Sequence, residues 1–403
     1  MSRTFIRALI LIAWLCVSIS PVHAAAEEAL PRPSENVPSN TGTPAESRSD
    51  APKPETSLWH YGGFLDFAYG LDSNFPGNHL WRSRGTTPRV NDLEINMGAA
   101  YVKKDATIAS RWGTELLVQA GEDSKAFGFE VGLPPVQHAD VWRHFGRANV
   151  SYLAPVGNGL TLQGGLFNSF IGYESLYAKD NATYTRAWMA DYSPYLMFGV
   201  NAVYPFNDRW TGAFFIINGY FHLSKANSLP SYGGQVTYTP ASSWTIKQTL
   251  YYGPDQADTG LEFWRLFSDT IIEWKSDRVS VALDYQVGTQ RNASVTGHRR
   301  EVFTGGDLTM RWHIAGPWSV AFRPEFYSDA SGLITGSEQF VKAVTTTLQY
   351  RLPYKWTNTI FRLEYRHDES TGSGGGFFKG TDNTLAPGQN LVLFSVIGTF
   401  DSP

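Results

Sequence analysis

From Leu58 onward apolar side chains recur at every second position, the spacing that sends neighbouring residues to opposite faces of an extended strand. Over residues 278–287, Val279, Val281, Leu283, Tyr285 and Val287 share one face, and Arg278, Ser280, Asp284 and Gln286 share the other with Ala282. Trp318, Val320, Phe322 and Phe326 oppose Ser319, Arg323 and Glu325 in the same manner. Thr357, Thr359, Phe361, Leu363 and Tyr365 oppose Asn358, Arg362, Glu364 and Arg366. Helical stripes are nearly absent. The pattern predicts sixteen strands, over 59–69, 92–103, 108–120, 140–153, 160–171, 195–205, 209–219, 232–239, 244–252, 262–274, 278–288, 301–312, 318–328, 339–351, 356–366 and 389–400.

The connections between these strands alternate in length. Those after even-numbered strands are short (104–107, 154–159, 207–208, 240–243, 275–277, 313–317, 352–355), and those after odd-numbered strands are mostly long (70–91, 121–139, 172–194, 220–231, 253–261, 289–300, 329–338, 367–388). An up-and-down meander with one trimmed end and one elaborate end is the signature of an outer-membrane barrel, with short periplasmic turns and long extracellular loops. The predicted fold is therefore all-β: a closed antiparallel transmembrane β-barrel of about 16 strands. Closure is required because lipid offers an open sheet edge no hydrogen-bond partner.

Tryptophan supplies an independent signal. Trp59, Trp210, Trp244, Trp318 and Trp356 begin strands that leave the short-turn side, and Trp274 and Trp312 end strands that arrive there. With Tyr101, Tyr152, Tyr204, Tyr238 and Tyr350 at similar depth they predict one aromatic girdle at the periplasmic interface. Aromatics also fill soluble β cores, but rings scattered through a core would not collect at one end of the strands.

Composition agrees with this picture. The 403 residues include 13 Trp, 20 Tyr and 25 Phe, with 42% apolar and 17% charged residues. Mean hydropathy is below zero, so a polytopic helical membrane protein, which needs repeated spans of about 20 apolar residues, is excluded. The one long apolar run lies in residues 1–26. Arg3 and Arg7 precede it and His23-Ala24-Ala25-Ala26 closes it, which reads as a secretory signal peptide. The sole cysteine, Cys16, falls inside that run. Residues 27–57 carry six prolines and no aromatic ring, and form a disordered linker because they have too little to bury. The barrel then occupies 58–403. Removing Arg3 and Arg7 from the 33 basic residues leaves 31 against 37 acids, and nothing basic enough for a nucleic-acid footprint is left.

Several stretches, Tyr61 to Leu71 (YGGFLDFAYGL), Asn91 to Lys104 (NDLEINMGAAYVKK), Phe167 to Asn181 (FNSFIGYESLYAKDN) and Tyr195 to Tyr220 ending in IINGY, resemble the OmpL-like putative beta-barrel porin family of Gram-negative outer membranes. The resemblance implies a pore for small hydrophilic solutes, with no catalysis and no cofactor. It places the chain among outer-membrane lipids and lipopolysaccharide, with the barrel-assembly machinery and small polar solutes as partners and a homotrimer as an assembly by analogy. Barrels of this kind usually finish on an aromatic residue read during assembly. Here Phe400 is followed by Asp401-Ser402-Pro403, so that signal is displaced by three residues.

Sixteen strands enclose a lumen wide enough for water, so its narrowing decides function. In general porins of this size the third external loop folds inward, and here that loop is 172–194, with Glu174, Lys179, Asp180, Arg186 and Asp191 as candidate constriction residues. Opposed charges across a narrow wet passage order water and penalise apolar solutes; the alternative is a solvated loop over the mouth. On the wall, alternation directs inward Arg111, Arg143, Arg147, Lys247, Arg265, Arg278, Arg311, Arg323, Arg362 and Arg366, and with them Asp66, Asp92, Glu94, Glu115, Asp269, Glu273, Asp284, Asp307, Glu325 and Glu364. Equal numbers predict a mixed-charge pore without sign preference, or ions paired within the wall.

Other chemistry is weakly supported. No two histidines have a metal-motif spacing such as H-E-x-x-H. Gly372 to Gly376 with Lys379 lacks the Ser or Thr of a phosphate loop and reads as an external loop. A barrel hydrolase would need a partner near His298 or His367 at the outer rim, and none is identifiable. A plugged barrel with ligand-binding loops is the other alternative to a diffusion porin.

Overall fold

A computed structural model describes residues 59–126, 139–223, 227, 229–256, 259–292 and 299–402. The expected signal peptide and linker, and His298, lie outside the described residues. The strands are β1 (Trp59–Asp72), β2 (Leu93–Lys104), β3 (Trp112–Ala120), β4 (Phe145–Ala154), β5 (Leu160–Asn168), β6 (Leu196–Pro205), β7 (Trp210–Ile217), β8 (Ser231–Tyr238), β9 (Trp244–Pro254), β10 (Trp264–Lys275), β11 (Val279–Arg291), β12 (Arg300–Ala315), β13 (Trp318–Asp329), β14 (Gln339–Tyr354), β15 (Thr357–Thr371), β16 (Phe377–Lys379), β17 (Thr384–Ala386) and β18 (Gly388–Asp401).

Sixteen of these form a closed antiparallel barrel in which each strand pairs with its sequence neighbours; β16 and β17 stand apart as a hairpin. Closure is made by β1 against β18, from Gly62 opposite Asp401 to Asp72 opposite Leu391. No barrel strand is left with an open edge, which is what a wall in hydrocarbon demands. The tail after Phe400 joins this seam: Asp401 accepts from the Tyr101 hydroxyl at 2.7 Å, and the Tyr61 amide donates to Ser402 Oγ at 3.0 Å.

The period-two pattern locates the strands because each faces two different solvents. Large apolar residues such as Leu250, Leu283, Leu363 and Phe394 are exposed on the outside, while Asp284, Arg362, Glu364 and Ser395 beside them are buried on the inside. At the short-turn edge, outward aromatics pair across strands in register. Trp112 lies 4.7 Å from Tyr152, Trp210 4.2 Å from Tyr238 and Trp318 4.8 Å from Tyr350. Tyr101 is the exception to the expected girdle. It shares the inward face with Ala99 and Lys103 and gives its hydroxyl to Asp401.

Four local expectations are corrected. β3 starts at Trp112 and not at 108, because Thr107 and Ser110 close a turn through an amide–carbonyl bond of 2.8 Å and a bond of the Ser110 amide to Thr107 Oγ1. β4 starts at Phe145 and not at 140, where a helical turn, α1 (Ala139–Trp142), precedes it. β5 ends at Asn168 and not at 171, because Ser169 Oγ takes the Ile171 amide at 2.9 Å and turns the chain. The last long connection contains the β16–β17 hairpin, which the alternation did not reveal.

Candidate functional site

The third external loop, 169–195, runs through the inside of the barrel. Gly172, with a left-handed backbone (φ 84°) that suits glycine, lies just past the bend. A 3-10 turn at Ala178–Asp180 and a four-residue helix, α2 (Trp188–Asp191), are its only regular elements. Thr183 to Met197 is one uninterrupted buried run. Most of its backbone polar groups lack secondary-structure partners, and a buried backbone must find others.

The wall supplies them. Asp269 accepts the Gly172 amide and Asp284 the Tyr173 amide, both at 2.9 Å. Glu364 accepts the amides of Tyr184 and Thr185 at 2.5 and 3.0 Å, and Glu325 accepts that of Trp188 at 2.5 Å. Arginines serve the carbonyls: Arg362 donates to Ala178, Asn181 and Thr183, Arg323 to Thr185, and Arg366 to Arg186. These wall residues come from β10 to β15. On the opposite side the loop buries apolar surface. Phe170 stacks on Phe215 at 5.2 Å, and Tyr177 meets Phe64 edge-on at 5.1 Å.

The five candidate constriction residues separate into three roles. Glu174 is paired with Arg323 at 2.5 Å and accepts the Ala187 amide. Lys179 and Asp180 pair with each other at 2.7 Å and keep partial exposure, with the Lys179 ammonium 5.5 Å from the centre of the Phe64 ring. Arg186 and Asp191 face other external loops: Arg186 pairs with Asp123 at 2.8 Å and Asp191 with Arg84 at 3.0 Å, all four side chains fully buried. Burial holds the Asp123 carboxyl above the usual carboxylate range, and Arg186 beside it offsets that rise only in part.

Of the predicted wall residues, Arg265, Asp269, Arg323, Glu325, Arg362 and Glu364 are buried and inward. Arg265 pairs with Asp255 at 2.8 Å. Glu115 and Arg147 pair with each other at 2.6 Å and remain partly exposed. Arg311 faces inward, opposite Ser280 and Ala321 in register. Three positions depart from expectation because the strands that would carry them start later. Arg111 sits in the turn before β3 and donates to the Leu153 carbonyl at 3.0 Å, and Arg143 sits in the external connection and donates to Ser124 Oγ at 3.2 Å. Arg278 likewise falls in an exposed turn before β11. Asp92 and Glu94 pair with Arg89 at the outer rim.

Sequence reasoning missed the first external loop, 73–92. Trp81, Val90 and Thr86 are buried in it, and its Arg84 reaches both Asp191 and the Arg186 carbonyl. The available signal was composition: Leu80, Trp81 and Val90 are too apolar for a loop in water. Gly374 and Gly376, in the external loop expected there, accept from Arg82 at 2.8 Å each. Among the described residues, no group of three or more His, Cys, Asp or Glu could hold a metal ion.

A profile of the family described as putative beta-barrel porin-2, OmpL-like, matches residues 59–400. No curated protein matches the chain. Among solved structures, the anion-selective porin from Comamonas acidovorans superposes with a TM-score of 0.53 at 10% identity, covering 85% of this chain and 99% of that one. OmpF of Salmonella typhi, in complex with daunomycin, gives 0.53 at 10% identity over 85% and 97%. A trimer form of OmpT, an outer membrane protein of Vibrio cholerae, gives 0.51 at 9% over 85% and 99%. At these identities the likeness is one of fold.

Proposed function

The chain belongs to the putative beta-barrel porin-2, OmpL-like family, and from that premise we propose that it is a diffusion channel for small hydrophilic solutes or ions whose third external loop narrows the pore. Its general role is that of an outer-membrane porin. The observation that carries the finer reading is the course of residues 169–195, which leave β5 and hydrogen-bond the walls of β10 to β15 from inside the barrel. The partly exposed pair of Lys179 and Asp180, with Glu115 and Arg147, supplies the charge that passing solutes would meet. The wall carries both signs, so selectivity rests on local pairs and not on net charge. Secretion by a cleaved leader at 1–26, a free linker at 27–57 and trimeric assembly complete the proposal. The trimer form of the Vibrio relative supports the last.

One observation favours a second reading. At mid-height the inward residues Asp66, Asn96, Leu117, Asn149, Phe215, Thr249, Asp269, Asp307, Arg323, Thr345, Glu364 and Ser395 are all buried, as they would be in a plugged barrel whose external loops bind a surface partner. Single-channel recording in planar bilayers separates the two. A diffusion channel conducts, and Lys179→Gln or Asp180→Asn changes its cation/anion reversal potential. Folded, inserted barrels that stay silent are plugged, and unchanged reversal potentials in both variants retire the constriction assignment.

A further inference from the structure

Loop 1 holds five non-glycine residues in the left-handed backbone region, one at every fourth position: Phe75 (φ 46°), His79 (55°), Ser83 (59°), Thr87 (47°) and Asn91 (59°). For a bulky or β-branched side chain such as Phe75 or Thr87 that region is sterically costly. Such conformations persist only where the surroundings over-determine them, and they collect at switch regions. The first half of loop 1 is tied to the last external loop, the Gly77 amide to the Gly380 carbonyl, the Asn78 amide to Asn383 Oδ1 and Arg82 to the Gly374 and Gly376 carbonyls, while its middle is tied to loop 3, chiefly through one carboxylate.

Asp191 takes four contacts. Its Oδ1 accepts the Thr86 hydroxyl at 2.6 Å and the Tyr195 hydroxyl at 3.0 Å. Its Oδ2 accepts the Gly85 amide at 3.1 Å and lies 3.0 Å from Arg84 Nε. Three of the four come from consecutive residues of loop 1. Arg84 is in turn held between Trp81 and Trp188, with its guanidinium 4.7 and 5.0 Å from the ring centres. The Tyr192 hydroxyl donates to the Ser83 carbonyl at 2.5 Å, and Asp123 takes the Thr87 amide at 2.6 Å while pairing with Arg186. Loop 3 itself is anchored to the wall by many separate bonds, whereas the middle of loop 1 meets loop 3 through this one cluster. Between the ties of Arg82 to the last external loop and of the Thr87 amide to Asp123, residues 83–86 are held to loop 3 by this hub, and they are the part of loop 1 that its loss would free.

We propose that residues 83–86, flanked by the left-handed backbone of Ser83 and Thr87, are a gate: the middle of a strap, drawn over loop 3 and clasped by Asp191, whose release widens the lumen. This rests on the channel reading above, with loop 3 setting the narrowest section and loop 1 setting whether that section is covered.

The geometry offers a reversible test. A Cβ built on Gly85 would lie 3.6 Å from the Asp191 Cβ, inside the span of about 3.5–4.5 Å that a disulfide bridges. With Cys16 replaced by serine, Gly85→Cys with Asp191→Cys gives a chain with a single thiol pair. Oxidised, the strap is locked; reduced, the clasp is gone. Conductance of the same bilayer-inserted sample is read before and after reduction. The expected result is a severalfold rise on reduction, reversed on reoxidation, with a smaller rise in the same direction for Thr86→Val, which removes one hydrogen bond and forms no cross-link. Equal, finite conductance in both redox states overturns the gate and leaves the channel standing. Silence in both states also overturns the gate, and silence of Arg323→Ala, which frees loop 3, extends that failure to the channel itself.

Discussion

Strands β2 to β9 on one side, and β10 to β18 with β1 on the other, complete one ring with two different inner faces. The first set is short, 8 to 12 residues each, and the second contributes barrel strands of 12 to 16 residues. On the short side, loop 3 meets Leu117, Phe167 and Phe215 and the neutral amides Gln119 and Gln235. Arg147 and Glu115 are charged there, but they pair with each other and not with the loop's backbone. On the tall side the loop meets Asp269, Asp284, Arg323, Glu325, Arg362, Glu364 and Arg366, nearly all of which bond its amides or carbonyls. The difference follows from what an irregular segment needs inside a barrel. Its rings can be buried against apolar wall, but its unpaired N–H and C=O groups require strong partners, and ionised side chains are the strongest available.

If the charged side is an anchor, cutting it has the largest effect. Arg323→Ala leaves Glu174 and Glu325 buried beside an empty site. It is expected to cost about 3–5 kcal/mol, the range for breaking a buried pair from one side, and to expose loop 3 to protease while the barrel stays inserted. Next is a substitution that treats both halves alike. Leu283→Arg on β11 and Leu250→Arg on β9 each put a cation on the outer face, and each is expected to cost about 2–4 kcal/mol near mid-depth, read by urea unfolding in liposomes. A large cost on one half only would break the picture of a common lipid face. Glu364→Gln keeps the shape but weakens the bonds to the Tyr184 and Thr185 amides. A loss of about 2 kcal/mol is expected, as for hydrogen bonds to a charged group, with faster amide exchange confined to loop 3. The smallest effect belongs to the short side. Gln235→Ala removes one neutral bond to the Phe170 carbonyl and is expected to cost about 1 kcal/mol, leaving conductance unchanged.

The barrel was legible because its signal is periodic. Lipid outside and polar groups inside impose the same alternation on every strand, so Val279 to Val287 alone display it. Boundaries failed where a local bond competes with the ladder, as at Thr107 with Ser110 and at Ser169. The interior was only partly legible. Ten inward acids and ten inward bases look alike on paper whether they line water or hold a loop. The contacts that decide between these join residues such as Tyr184 and Glu364, 180 positions apart, across which no pattern runs. Loop 1 was missed for the same reason: Arg84 and Asp191 are 107 residues apart by number, and neither carries a motif.

Amide hydrogen exchange of the wild-type barrel in lipid bilayers tests the anchored loop most directly. The amides of Gly172, Tyr173, Tyr184, Thr185 and Trp188 are expected to exchange as slowly as those of β10 and β15, because each is bonded to a buried wall carboxylate. Exchange at the rate of an unprotected surface loop, with the strands still protected, would contradict the account.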